Sequence, residues 1–469
     1  MYELLCTART RGGQQTLAAW LLAPASIQEI QARQEAIKEL APLIDFREQL
    51  ELAGEDIRIG VHPEALTEWS ESPSRLSPRF ARMVAPLLAT VWILSLLAWA
   101  ITGFGAPALL MTLINLMVTY RTRTQVEKSA AAIEQAMHEL DLLAGIFRQI
   151  ETQSFTSKKL LDLQNALQVT QHSHHRSASE AITRLHKRVD WLESNENPII
   201  KFADLFIFWT AQWSAAIEAW RTQHGAAVRR WLAVVGEIEA LNAFAAYAYE
   251  HPADVFPQFI ESATCLNAEA FAHPLIPASR AVTNSLKLDS NLQLVVISGP
   301  NMAGKSTFIR SVGVNVVLAQ AGAPVRARSM VLSPLTVAAS ICVLDSLQGG
   351  LSRFYAEILR LKLIDEQSRR PTPVLFLLDE LLSGTNSHDR RVGTESFVRT
   401  LLARGAIGLV TTHDLALAEI AEKLPGQAAN FHFEDSFESG ELRFDYRLTP
   451  GIVSTTNALK LMRSVGLEV

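Results

Sequence analysis

Apolar positions along this chain follow two different rhythms. From Ile133 to Leu192 they recur every three or four residues, as Ile133, Met137, Leu140, Ala144 and Phe147, then Leu160, Leu163 and Leu167, then Ile182, Leu185, Val189 and Leu192. That spacing predicts helices that each bury one stripe. Trp209, Trp213 and Trp220 keep the helical rhythm and read as packing residues rather than as a platform for stacked bases. Past Pro252, Pro257, Pro274 and Pro277 the pattern changes to short unbroken runs, Leu294 to Ile297, Val374 to Leu378 and Ala406 to Val410. Such runs describe parallel strands buried on both faces. The pattern therefore predicts a mainly α-helical region over residues 1–275 and an α/β domain over 276–469. Near the end, Leu442 to Leu448 alternates like a strand, Thr449-Pro450-Gly451 turns, and Asn457 to Val465 reads as a closing helix.

One stretch fits neither rhythm. From Met83 to Tyr120, roughly 38 positions, no residue carries a formal charge. Thr102-Gly103-Phe104-Gly105-Ala106-Pro107 is a turn signal in its middle. The first limb, Val84 to Ile101, would rise about 27 Å, close to the hydrocarbon thickness of a bilayer. The second, Ala108 to Tyr120, would rise only about 20 Å and would need turn residues or local thinning to cross. Arg79 and Arg82 precede the run and Arg121 and Arg123 follow it, so both flanks prefer the cytoplasm, as a two-pass transmembrane hairpin over 83–120 requires. The competing reading is a buried helical hairpin or an oligomer contact. The expected location is a cytoplasmic protein held at the inner membrane. No cleavable signal peptide is visible at Met1 to Thr10.

Composition narrows the class without deciding it. The chain has 469 residues, 48% of them hydrophobic, enough for two or three domains. The formal charge of −5 is far from the strongly basic balance of a dedicated nucleic-acid domain, so any contact with DNA must be local. The basic stretch from His172 through Arg176, Arg184, His186, Lys187 and Arg188 reads first as a solvated helix face. Cys6, Cys265 and Cys342 are odd in number and far apart, implying neither a disulfide framework nor a zinc site.

Candidate chemistry lies at the ends of the three apolar runs. The first enters Gly299-Pro300-Asn301-Met302-Ala303-Gly304-Lys305-Ser306-Thr307, the order of a phosphate-binding loop before a helix. Side chains at Gly299 and Gly304 would obstruct the convergence of backbone N–H groups on an anion. Lys305 supplies a mobile positive charge, and Ser306 places a hydroxyl where it can ligate Mg²⁺. The second run ends in Asp379-Glu380, with Asp379 placed to hold Mg²⁺ through water and Glu380 to orient or deprotonate the attacking water. The third ends in Thr411-Thr412-His413-Asp414, which sets an imidazole at the edge where α/β sheets bind ligands. His413 could there sense a γ-phosphate. The plainer alternative is a helix start in which Thr412 or Asp414 caps and His413 is merely exposed.

Together these segments resemble the ATPase domain of the MutS family of DNA mismatch repair proteins. Ala303 stands where the family has glycine, and Leu381, Leu382 and Arg390 depart from its commonest residues around Ser383-Gly384-Thr385-Asn386-Ser387-His388-Asp389. The segment Asp345 to Glu357 is similar to one that reaches across a dimer, and by that resemblance Ser352 would touch the γ-phosphate bound to the partner chain. His413 matches the family's histidine after the last catalytic strand. Thr10 to Pro24 and Arg33 to Ile37 look like the entry to the family's helical core, and His273-Pro274-Leu275 with Asn284 like the lead-in to its ATPase. The resemblance implies an ABC-type P-loop ATPase domain behind a helical core or lever, with ATP and Mg²⁺ as ligands and a homodimer as the working form. The family's mismatch-reading domain, with its intercalating Phe and nearby Glu, has no counterpart here.

Two expectations follow. One is a DNA-acting ATPase of the mismatch repair type, with mismatched or branched DNA as partner and the membrane as tether. The other is a membrane-anchored mechanical switch that drives a protein or lipid partner without DNA. A transporter is disfavoured because a single hairpin offers too little spanning structure for a path.

Overall fold

The computed structural model describes residues 1–60, 62–73, 83–171, 174–194, 197–300, 302–341, 353–382, 384–438 and 441–453. It divides into two compact units. One comprises Cys6–Leu17 and Glu39–Ala243, the other Met1–Leu5, Ala18–Lys38 and Phe244–Val469. By contacts the second unit begins at Phe244, ahead of the proline cluster, because residues 258–259 and 266–271 already pair with Ser329–Leu332 in a four-stranded sheet.

The first unit is almost wholly helical. It contains α1 (Ala85–Thr102), α2 (Ala106–Thr152), α3 (Pro198–Ile207) and most of α4 (Trp209–Glu250), with further helices at Lys158–Ala166 and Ala178–Glu193. The predicted stripes are its core: Ile133, Met137, Leu140, Phe147, Leu160, Ile182, Leu185 and Val189 are all buried. Trp220 is buried too and its indole donates to the Ala181 carbonyl at 3.0 Å, which suits a packing role. The basic stretch is mixed: His174–Arg176 forms a short strand against Val169–Gln171, and the Arg188 guanidinium donates to the Ala216 carbonyl. His172 lies outside the described residues.

Helices α1 and α2 form the hairpin expected from the uncharged run. Gly103, with φ 77°, closes α1 in the left-handed region that glycine tolerates, and Pro107 sits in the first turn of α2. The second limb, Ala108 to Tyr120, lies near the start of a 47-residue helix that runs on past Arg121 into the stripe from Ile133, so its uncharged part stays as short as the sequence has it. Arg79 and Arg82 lie outside the described residues.

The second unit centres on a six-stranded sheet built from β1 (Leu294–Ser298), β2 (Thr336–Ser340), β3 (Val374–Asp379), β4 (Ile407–Thr412), β5 (Ala428–His432) and β6 (Thr449–Pro450). Their spatial order is β6-β5-β1-β4-β3-β2, parallel throughout except for the β5–β6 edge. Every residue of β1 and β4 is buried, as their unbroken apolar runs demand. Gly408 in β4 makes room for its neighbour, since a Cβ there would stand 2.2 Å from the Phe376 carbonyl oxygen. Connecting helices are α5 (Lys305–Ala321), α6 (Arg353–Gln367), α7 (Ser387–Ala403) and α8 (Leu415–Glu422). The turn expected at Thr449-Pro450 is instead the edge strand β6, and only Gly451, at φ 107°, turns. Its N–H reaches the Asn430 carbonyl, which holds the segment against β5. The closing helix expected at 457–465 lies outside the described residues.

Candidate active site at the strand ends

Strand order converts three distant segments into one site. Ser298 of β1 pairs with Thr412 of β4, and Thr411 pairs with Asp379 of β3, so the loops after β1, β3 and β4 leave the same edge side by side. This is the carboxyl edge of an α/β sheet, where ligands bind.

The loop after β1 is shaped by its glycines. Gly299 has φ 148°, and a Cβ there would meet the Phe433 carbonyl oxygen at 2.8 Å. Gly304, at φ 103°, is the residue before α5, whose N-terminus therefore opens onto the loop. Ala303 is fully buried, so its methyl group packs inward and leaves the loop's outer surface clear. The Lys305 ammonium folds back to donate to the carbonyls of Gly299 at 2.7 Å and Pro300 at 2.9 Å. Burial pushes its pKa below the ordinary lysine value, and the negative charges of Glu380 and Asp379 hold it up in part. Glu380 Oε1 lies 3.8 Å from this ammonium. Ser306 is half-buried, while Met302 and Thr307 are exposed.

The acidic pair after β3 is held by a residue that sequence reading left without a role. The Thr411 hydroxyl donates to Asp379 Oδ1 and accepts from the Glu380 N–H at 3.2 Å. One side chain on β4 thus fixes the last residue of β3 and the one that follows it. Glu380 and Leu382 have φ of 48° and 55°, a left-handed backbone that costs non-glycine residues energy and is kept only where surroundings over-determine it. For Leu382 the restraint is visible: its N–H donates to the buried Glu357 carboxylate at 2.7 Å, and its carbonyl accepts from Arg390 at 3.2 Å. Leu381, Leu382 and Arg390, which depart from the resembled pattern, are therefore core or loop-holding residues. Asn386 caps α7 by accepting from the Asp389 N–H.

His413 Nδ1 stands 3.4 Å from Glu380 Oε1. Asp414 caps α8 and His413 is exposed, as the plainer alternative has it, with the imidazole nonetheless beside the Glu380 carboxylate. Of the residues singled out in sequence, Gly299, Pro300, Met302, Ala303, Gly304, Glu380 and His413 lie in these three loops, with Lys305, Ser306 and Thr307 in the first turn of α5 and Asp379 at the end of β3. Asn301 and Ser352 lie outside the described residues, as do Ser383 and Cys342.

A cavity of about 490 Å³ opens beside Lys305 and Ser306, with Phe271, His273, Met302 and Tyr446 among its walls. Asn284 ties down its rim, donating to the Tyr446 carbonyl at 3.0 Å and accepting from the Leu448 N–H at 2.8 Å. Burial, with the nearby charge of Arg310, lowers the His273 pKa and favours its neutral ring. Nothing in local sequence rhythm tied Tyr446 or Phe433 to this loop, since both reach it from segments more than a hundred residues later in the chain, Phe433 directly after β5 beside β1.

An oxygen-donor cation fits this arrangement. A serine hydroxyl at a helix N-terminus and a carboxylate already oriented by Thr411 are the hard ligands that Mg²⁺ takes with water.

Comparison with known proteins places the second half of the chain. Residues 295–468 match the family MutS domain V. Endonuclease MutS2 of Thermus thermophilus is 37% identical over 197 residues, 42% of this chain and 25% of that protein. A DNA mismatch repair protein MutS 2 of Halobacterium salinarum is 30% identical over 245 residues, 51% of this chain and 28% of the relative. DNA mismatch repair protein MutS of Brevibacillus brevis is 31% identical over 224 residues, 46% and 25%. The matched stretch thus spans about a quarter of the length of these relatives. What the chain carries over residues 295–468 is a domain of the MutS domain V kind, following a helical unit.

Proposed function

We propose that this chain is a MutS-family ATPase, related to DNA mismatch repair, that binds ATP with Mg²⁺ in the loops after β1, β3 and β4 and hydrolyses it in a homodimer acting on mismatched or branched DNA. The observation that carries this reading is the meeting of Lys305, Asp379, Glu380 and His413 at one sheet edge. The likeness of residues 295–468 to MutS domain V supports it.

Each group has a task within that reading. The Lys305 ammonium exchanges the Gly299 and Pro300 carbonyls for phosphate oxygens. Ser306, and Asp379 through water, would hold Mg²⁺, which when bound neutralises phosphate charge. Glu380, held by Thr411 through its backbone, orients the attacking water, and His413 beside it stabilises the transferring phosphoryl group. The cavity between Phe271, His273 and Tyr446 has the size and aromatic walls to take the nucleoside. Ser352 would act on the nucleotide of the opposite copy.

The test is ATP turnover by the purified chain with Mg²⁺, alone and with duplex, mismatched and branched DNA. The expected result is nucleotide binding and stimulated turnover. No nucleotide affinity ends the whole reading, and turnover indifferent to every DNA form ends its DNA part.

A second reading concerns the hairpin, which we propose anchors the protein in the cytoplasmic membrane. Only 11% of α1 is buried, so its apolar side chains face outward. Thr90, Ser95, Thr102, Thr112 and Thr119 each donate their hydroxyl to a backbone carbonyl, leaving none dependent on water. Recovery of the full chain in the soluble fraction without detergent would count against anchoring.

A further inference from the structure

We infer that α3 is a lipid-contacting helix that lies at the headgroup boundary beside the hairpin, so that the membrane-facing surface has three elements rather than two. This rests on the anchoring reading above and extends it to residues far along the chain.

Helix α3 starts at an Asn197 cap, where the side chain accepts from the Ile199 N–H, and ends where Phe208 turns left-handed at φ 55°. It is docked on the hairpin at three points. The Phe206 ring stacks on Trp92, with centroids 4.9 Å apart and planes 8° from parallel. Asn115 Nδ2 donates to the Phe206 carbonyl at 2.8 Å, and the Thr119 hydroxyl donates to the Leu205 carbonyl at 3.0 Å. This explains an indole halfway along an apolar limb: Trp92 also donates to Thr112, so its polar atom is satisfied within the hairpin.

The outer face of α3 is left uncovered. Ile199 is 79% exposed and Phe202 68%, and they extend the apolar surface of α1 and α2. Ten residues rise about 15 Å, half of what crossing needs, so the helix does not span. Exposed Lys201 lies on the same helix, and its ammonium keeps α3 at the depth where its stem lies in acyl chains and its head among phosphates.

The level of that boundary is marked independently. Phe208 and Ala211 pack on Ala85 and Val126, at the foot of the hairpin. There Trp191, Trp209 and Trp213 cluster, Trp191 and Trp213 stacked at 5.8 Å and Trp209 donating to the Trp191 carbonyl. Indoles and arginines such as Arg121 and Arg123 gather where headgroups meet hydrocarbon. A second copy of the chain is the alternative occupant, since an uncharged run bordered by Lys201, Asp204, Arg121 and Arg123 would also suit the core and rim of a protein interface; the indoles gathered with Arg121 and Arg123 at one level favour lipid.

The test uses the full chain with Cys6, Cys265 and Cys342 changed to Ser and one new cysteine, Phe202→Cys or Leu94→Cys, carrying an environment-sensitive fluorophore. The protein is reconstituted into vesicles of phosphatidylcholine and phosphatidylglycerol containing lipids with a quencher near the headgroup or near the chain end. The label at 202 should lose about twofold more fluorescence to the shallow quencher than to the deep one, and the label at 94 should respond to the deep one. Quenching at 94 with none at 202 leaves the hairpin embedded and overturns the inference. Quenching at neither position defeats the anchoring reading itself. Shielding of both labels in a lipid-free dimer assigns the face to a second copy and overturns the inference.

Discussion

Strand β1 and helix α1 both draw on leucine, valine and isoleucine, and the protein treats them in opposite ways. All five residues of β1 are buried, whereas α1 leaves Leu87, Ile93, Leu94, Leu97 and Ile101 facing outward. In the sheet, burial is a means: strands sealed on both faces carry their polar tips, Ser298, Asp379 and Thr412, to a common edge. In the hairpin the apolar surface is itself what is presented, since α3 covers one side and, among the described residues, Leu87, Leu94, Leu97 and Ile101 stay exposed. Hydrophobicity alone does not locate a segment, and the informative quantity is the large apolar surface left uncovered.

The sharpest way to separate the two regions is to disable one and measure the other. Glu380→Gln should lower ATP turnover by at least about 100-fold while fluorescent-nucleotide binding persists, and membrane association should not change. Unaltered turnover would remove Glu380 from its role. Conversely, Leu94→Lys combined with Leu97→Lys should release the chain from membranes in a flotation assay, at about 3 kcal/mol per lysine near mid-span, with turnover within about twofold of the parent. Loss of activity on release would mean that the hairpin is not a separable anchor.

Within the sheet-edge site a smaller effect is expected at Thr411. Thr411→Val keeps the shape and deletes the hydroxyl shared by Asp379 and Glu380, so kcat should fall about tenfold with little change in KM, and Thr411→Ser should restore most of it. A Thr411→Ser variant as slow as valine would point to packing instead. Glu357→Gln weakens the charge-assisted bond to the Leu382 N–H without emptying the space, and a kcat loss of about threefold is expected with thermal stability nearly unchanged.

The least of these effects belongs to the helical unit. Glu239 is buried, which raises its pKa above the usual carboxylate value of 4.5 despite hydrogen bonds from Thr10 and the Arg9 N–H. Above 4.5 the folded unit therefore binds more protons than the unfolded chain, and stability falls as pH rises toward the raised value. Glu239→Gln should flatten that slope in urea melts taken across the window, and a slope that survives the substitution would assign it elsewhere.

What the sequence made legible was local. Runs such as Val374 to Leu378 announced strands because unbroken burial needs unbroken apolar residues, and the stripe from Ile133 to Phe147 announced its helix by spacing. Glycines at 299 and 304 marked the loop because positive φ and close approach are written in single residues. The order β1-β4-β3 was not legible, since pairing between strands more than thirty residues apart leaves no periodic trace. Thr411, Glu357 and Tyr446 were hidden for the same reason: each acts on a segment brought to it by that order. The hairpin showed the mixed case. Absence of charge identified it, but α3 escaped notice because ten residues carry too little apolar length to stand out, and its partner Trp92 lies more than a hundred positions earlier.

Helix α2 joins the uncovered hairpin to the stripe packed inside the helical unit. It runs 47 residues, about 70 Å, with no proline after Pro107 to act as a joint. Tilt imposed on Leu109 or Leu113 would be carried along one continuous helix toward Leu140 and Phe147, which are buried in the core. A rod of that kind makes the outer face a handle: whatever grips it also sets the angle of the interior.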